Sequence, residues 1–271
     1  MSAITAIRSG SPRPRAGTAQ ALLLLVGLAA SLPAMAESED SEWVLGIGST
    51  HAATGSNGRL HEESRWETGL LLEYSRGRYF ASTRRGVGLQ LALSPQVGAF
   101  VALGYGQGRP KDGGGSSSRL AGLERISGSM LVLSGLQARA GKSLSLSATL
   151  AVPWRREQGA SVNLGASLQL AATADWEVAL EANTTYSTAR RASTFFGTTP
   201  EQSASTGLPV FRASAGWSSQ EALLSVSYRF DRHWTAQATA GEERRLGAAA
   251  DSPLFGRRSN VVGSITVGYR F

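Results

Sequence analysis

The chain has 271 residues, with 27 Lys and Arg against 20 Asp and Glu, and no cysteine. The missing cysteines exclude a disulfide framework and a thiolate metal site. Beyond one apolar stretch near the amino end, no run approaches the ~18 apolar residues of a membrane helix, so a helical membrane bundle is excluded. Residues 1–36 hold three arginines and no acid, so the rest carries 24 basic and 20 acidic groups, a net +4 against +7 for the whole. The basic balance is therefore no argument for nucleic acid, and no nucleic-acid partner is expected.

At the amino end, Arg8, Arg13 and Arg15 precede the apolar Ala21 to Leu32, and Ala34-Met35-Ala36 follows as a small-x-small cleavage site. The order reads as a secretory signal over 1–36, too short to span a membrane, with the mature chain from 37 to 271. A strand has period two, and that period recurs down the mature chain. Trp43, Leu45 and Ile47 share a face, then Leu70, Leu72 and Tyr74, then Tyr79 and Ala81 in a short element. Val87 to Leu93 alternates apolar with small or polar residues, and Val97, Ala99, Val101, Leu103 and Tyr105 share the next face. The stretch from Met130 to Arg139 is strand-like, with its register open. Leu144 to Val152, Val162 to Leu170, Trp176 to Tyr186, Leu224 to Phe230, Trp234 to Ala240 and Val261 to Phe271 complete about twelve strands.

Connections alternate as well. Short turns fall at Arg76-Gly77, Ser94-Pro95, Ala140-Gly141, Ala172 to Ala174 and Asp231-Arg232; the others, at 53–66, 84–86, 107–127, 153–160, 188–212 and 244–258, are mostly long. The pattern predicts an all-β, antiparallel transmembrane β-barrel of the bacterial outer membrane, with both termini and the short turns in the periplasm. Aromatics near strand ends (Trp43, Tyr74, Tyr105, Trp176, Tyr186, Tyr228, Trp234, Tyr269) suit interfacial girdles. The rival is a soluble β-sandwich, which would bury those rings.

Five Arg-Arg pairs, Arg84-Arg85, Arg155-Arg156, Arg190-Arg191, Arg244-Arg245 and Arg257-Arg258, all fall on the predicted external side. Guanidinium forks match phosphate, so these pairs are candidate contacts to outer-membrane lipid and lipopolysaccharide; a general excess of charge in external loops is the alternative. Little else suggests chemistry. His51, Ser56, Asn57, His61, Glu62 and Glu63 share one loop, but a nucleophile and base need fixed mutual geometry, and this spacing matches none. Gly113 to Ser118 lacks the Gly-Lys-Ser/Thr of a phosphate loop. Glu177, Glu181, Arg229 and Arg270 are expected inside the barrel, where they pair or line a pore. No catalytic residue, cofactor or metal site is expected, and the chain reads as no enzyme.

Val261 to Phe271 ends with aromatics at Tyr269 and Phe271, an ending that resembles the C-terminal signal read by the barrel assembly machinery of bacterial outer membranes. More specific is Phe195-Phe196-Gly197-Thr198-Thr199-Pro200-Glu201-Gln202-Ser203, running on to Leu208-Pro209. With Tyr74 to Ala81, Arg85 to Gly88, Tyr228 to Trp234 and Leu246 to Pro253, it is similar to the MipA/OmpV family of MltA-interacting outer-membrane proteins. Departures fall at Ala248, between His51 and Glu63, and between Leu120 and Ile126. The resemblance implies a scaffold linking a murein lytic transglycosylase with a bifunctional peptidoglycan synthase. It also leaves open an outer-membrane pore or a surface or adhesion protein involved in osmotic or antibiotic response. The acidic start from Glu37 to Glu42 is either a docking tail or a solvated terminus.

Overall fold

A computed structural model describes residues 41–52, 65–109, 111, 120 and 122–271. The signal segment, most of the acidic start, Ser56 to Glu63 and Gly113 to Ser118 lie outside them.

Twelve antiparallel strands close into a barrel in which each strand pairs with its chain neighbours and β1 pairs with β12. They are β1 (Glu42–Ala52), β2 (Arg65–Arg76), β3 (Tyr79–Ser82), β4 (Gly86–Ala92), β5 (Val97–Gly106), β6 (Ser129–Ala140), β7 (Leu144–Pro153), β8 (Ser161–Ala172), β9 (Trp176–Ser187), β10 (Gly216–Arg229), β11 (Trp234–Arg245) and β12 (Ser259–Arg270). Closure removes the sheet edges, which carry unpaired N–H and C=O groups. The start of β1 and the end of β12 meet at the short-turn rim, where the Phe271 N–H donates to the Trp43 carbonyl at 3.0 Å.

The period of two appears directly in the side chains. In β5, Gly98, Phe100, Ala102 and Gly104 are buried, while Val101, Leu103 and Tyr105 are exposed outward. The open register of 130–139 resolves with Met130, Val132 and Leu136 outward and Leu133 buried inside. A belt of exposed Leu, Val and Ile circles the barrel, the reverse of a soluble core. Aromatic pairs mark one border: Trp43–Tyr74 at 4.3 Å, Trp176–Tyr228 at 4.5 Å and Trp234–Tyr269 at 5.0 Å between ring centroids. Tyr105, Trp66, Trp154 and the Tyr186–Trp217 pair, at 5.6 Å, sit toward the other. The rings lie at the wall rather than inside it, contrary to a sandwich.

Side chains with short oxygens close the tight turns. Ser94 Oγ accepts from the Val97 N–H at 3.0 Å, Thr173 Oγ1 from the Trp176 N–H at 3.0 Å, and Asp231 Oδ1 from the His233 and Trp234 N–H groups at 2.7 and 2.8 Å. Left-handed Gly77 and Gly141 shape two others; such φ values cost glycine little.

One stretch of wall departs from the sequence reading. β2 pairs with the four-residue β3 only from Glu73 to Arg76. The connection over 83–85 is thus a tight turn partway up the wall, not an external loop. Gly86, at φ 81°, lets β4 start against β5: a Cβ there would meet the Leu103 carbonyl oxygen at 2.0 Å.

Candidate functional site

Side chains pack in two patches on the inner face of the barrel. Phe80 and Phe100 pack edge to face at 6.3 Å, with Ala102 and Leu133 in the same buried cluster. On the other wall, Leu223 is 1 % exposed, beside buried Ser225, Thr239 and Val262. Several polar groups inside are tied to one another, because a buried charge needs partners, while Glu181 Oε2 and Glu243 Oε2 are buried without a hydrogen-bond partner. Ser82 Oγ donates to Glu73 at 2.7 Å, Ser225 Oγ to Glu181 at 2.8 Å, and Asn183 Nδ2 to Glu221 at 3.3 Å. Glu181 stands on β9, roughly opposite the β3–β4 turn in the strand order. Glu181 lies inside as the sequence predicts, while Arg229 donates to the Ala174 carbonyl at 3.2 Å and Arg270 pairs with Glu42 at 3.0 Å near the short-turn rim.

The long-loop rim is roofed. Leu120 and Leu123 from the β5–β6 connection, Leu208 from the β9–β10 connection and Leu254 from the β11–β12 connection form one buried cluster against Phe255. The first and last of these loops are rooted on opposite sides of the barrel, so their contact crosses the mouth. Two helices build the central loop. In α1 (Ala189–Phe196) and α2 (Pro200–Thr206), the second has a capping box between Thr199 and Gln202, proline at its first turn and left-handed Gly207 at its end, the residues such termini favour. Ser252 Oγ donates to the Phe196 carbonyl at 2.6 Å and Ser205 Oγ to the Gly122 carbonyl at 3.1 Å. Arg109 is buried under this roof; burial pushes its guanidinium down to about 10, and its Nη1 donates to the Phe195 carbonyl at 3.4 Å. The segment that carries the family resemblance is thus the structural centre of the roof, a role without a periodic signal.

The five arginine pairs separate by environment. Arg84 and Arg85 belong to the mid-wall turn, where both N–H groups donate to Ser82 Oγ at 3.1 and 3.2 Å, and the Arg85 guanidinium lies 4.4 Å from the Phe80 ring centre. Their expected place in an external loop is corrected: they brace the lumen. Arg245 is buried, with its guanidinium 4.2 Å from the Phe255 ring centre, while Arg244 is exposed, as successive strand residues face opposite ways. Arg191 stacks on Phe195 at 4.7 Å. Arg155, Arg156, Arg190, Arg244, Arg257 and Arg258 stay exposed on the long-loop rim. Two of these are engaged with carboxylates: Arg258 with Asp251 at 2.9 Å and Arg155 with Glu157 at 3.8 Å.

At the opposite rim, Arg76, Arg78, Arg139, Lys142, Arg229, Arg232 and Arg270 meet Glu42, Asp175, Glu177 and Asp231, seven basic groups against four acidic among the described residues. Phe271 is exposed there, its ring 4.8 Å from that of Tyr269. The two described histidines stand at opposite rims, and His61 lies outside the described residues. His51 packs on Trp66 at 5.1 Å toward the long-loop rim, and His233 stacks on Tyr269 at 5.3 Å at the other. Among the described residues, no three His, Asp or Glu could hold a metal ion.

A family model described as MltA-interacting protein MipA matches residues 44–271, from the first strand to the last residue. The chain belongs to the MipA family. It is accordingly an outer-membrane β-barrel. No curated protein matches the chain. Solved structures similar to this family member include the COG4313 outer membrane channel from Pseudomonas putida F1, at 12% identity over 85% of this chain and 96% of that one, TM-score 0.44. A bacterial polysaccharide outer membrane secretin matches at 9% identity over 86% and 99%, TM-score 0.42, and the KdgM porin at 8% over 86% and 99%, TM-score 0.38.

Proposed function

We propose that this chain is a non-enzymatic scaffold of the outer membrane, with its short-turn rim in the periplasm. There it holds a murein lytic transglycosylase beside a bifunctional peptidoglycan synthase. The observation that carries the reading is the exposed basic short-turn rim opposite a mouth roofed by interlocked loops, which offers a surface to a partner. The family description, an MltA-interacting protein, supplies the class of partner. The basic short-turn rim offers charge for an acidic partner face, and complementary charge raises association rates more than affinity. In the same orientation, Tyr269 and Phe271 stand at the periplasmic end, where assembly machinery reads them.

The test is saturable binding of the folded, heat-modifiable barrel to the transglycosylase and synthase of its own envelope. Charge reversal at Arg76, Lys142 and Arg232 is expected to weaken binding at least tenfold; undiminished binding rejects the basic rim as the contact. A second reading, a pore, draws on the wall beside β2: Gly69 faces space in which an added Cβ meets nothing within 4 Å. Steady single-channel conductance in planar bilayers would favour the pore.

A further inference from the structure

The long-loop rim holds a cleft of about 920 Å³ that the scaffold reading does not use, lined by Val152, Pro153, Arg156, Arg190, Ser193 and Thr194 among others. It lies between the β7–β8 connection, with a 3₁₀ turn at Arg156–Gln158, and the start of α1. Its two cations come from different loops. The Arg190 Nη1 donates to the Arg156 carbonyl at 3.2 Å, which locks the loops together, and Thr194 Oγ1 does the same to the Glu157 carbonyl at 2.9 Å. Both guanidinium groups remain exposed.

The cleft also borders the first turn of α1. Thr188, at the N-cap of α1, makes no side-chain cap bond; its hydroxyl donates instead to the Ala160 carbonyl at 2.9 Å. The first turn of α1 contains no acidic residue, so its positive end is uncompensated. Gly159, at φ 66°, approaches that turn so closely that a Cβ would meet the Arg191 nitrogen at 2.2 Å. Beside these groups, the lining passes from Pro153 and Val152 to the outward belt, where Trp154 is 77 % exposed. A basic pocket continuous with an apolar wall fits a ligand that carries phosphate on an acylated body.

We propose that this cleft binds the phosphorylated head of an outer-leaflet glycolipid, with Arg156 and Arg190 on the phosphate and an acyl chain along Val152 and Trp154. The placement in the outer leaflet rests on the membrane orientation proposed above; the chemistry of the cleft does not. The assignment narrows the lipopolysaccharide contact from five arginine pairs to one arginine from each of two.

The experiment uses the mature barrel in a zwitterionic detergent, with bis-phosphorylated lipid A, fully dephosphorylated lipid A and inorganic phosphate as probes. Retained lipid is counted by native mass spectrometry and folding is checked by heat-modifiable migration. The wild-type barrel is expected to retain bis-phosphorylated lipid A at least tenfold better than the dephosphorylated form. R156Q/R190Q is expected to lose that preference, R156K/R190K to recover part of it, and R257Q/R258Q to keep it. Equal retention by wild type and R156Q/R190Q overturns the proposal, as does equal retention of the two lipids. Displacement of lipid A by an equimolar amount of inorganic phosphate also overturns it, by marking a free-phosphate site. None of these readouts involves the transglycosylase, so this proposal and the scaffold reading fail separately.

Discussion

At Gly86, chain geometry and packing make the same demand. Its φ of 81° is one that side chains rarely adopt, and a Cβ would strike the Leu103 carbonyl oxygen. Gly86→Ala is therefore expected to destabilise the barrel by about 1–3 kcal/mol, the cost of a strained backbone position, in urea unfolding from detergent. Gly69→Ala is the contrast: an added methyl meets nothing within 4 Å, and removing glycine's freedom from the unfolded chain is worth about 0.4–1 kcal/mol of stability. Equal losses at both positions would contradict the placement of the mid-wall turn. That turn also shows where residue-level reading stops. Thr83-Arg84-Arg85-Gly86 has the composition of any loop, and its height on the wall depends on β3 having four residues where β2 has twelve. Only pairing reveals such a mismatch. Two arginines legible as a phosphate-binding pair consequently turn out to brace the lumen.

At the scale of elements, strands were readable and the roof was not. The period of two is a local property, so eleven strands carry it in the sequence itself, and only the Met130 to Arg139 stretch takes its register from its neighbours. The roof is assembled from leucines far apart in the chain, with no repeating spacing among Leu120, Leu123, Leu208 and Leu254. Its stability rests on those few side chains, while the wall rests on the continuous hydrogen-bonded ladder. Leu123, 0 % exposed, is the natural probe. Truncating a buried leucine costs about 2–5 kcal/mol; in Leu123→Ala that loss is expected in the roof alone. Limited proteolysis should cut between residues 195 and 211 at least tenfold faster than in the wild type, with heat-modifiable migration unchanged. Loss of the barrel itself would show that roof and wall unfold as one unit.

For the whole molecule, the arrangement divides labour between two ends of a rigid wall. One end is roofed and carries a basic, apolar-edged cleft suited to phosphorylated lipid; the other has tight turns and an excess of basic groups. Between them the described residues hold no metal constellation, and the scaffold proposed above needs none. Since the chain contains no cysteine, single reactive positions can be introduced at either rim without background. The most direct measurement of the scaffold claim is photo-crosslinking in growing cells, with one photoreactive residue at Lys142 or Arg232 and, separately, at Arg257. The account predicts an adduct with the murein lytic transglycosylase from the first two positions and none from Arg257. An adduct formed from Arg257 instead, or no transglycosylase adduct at Lys142 and Arg232 in a folded barrel, would contradict it.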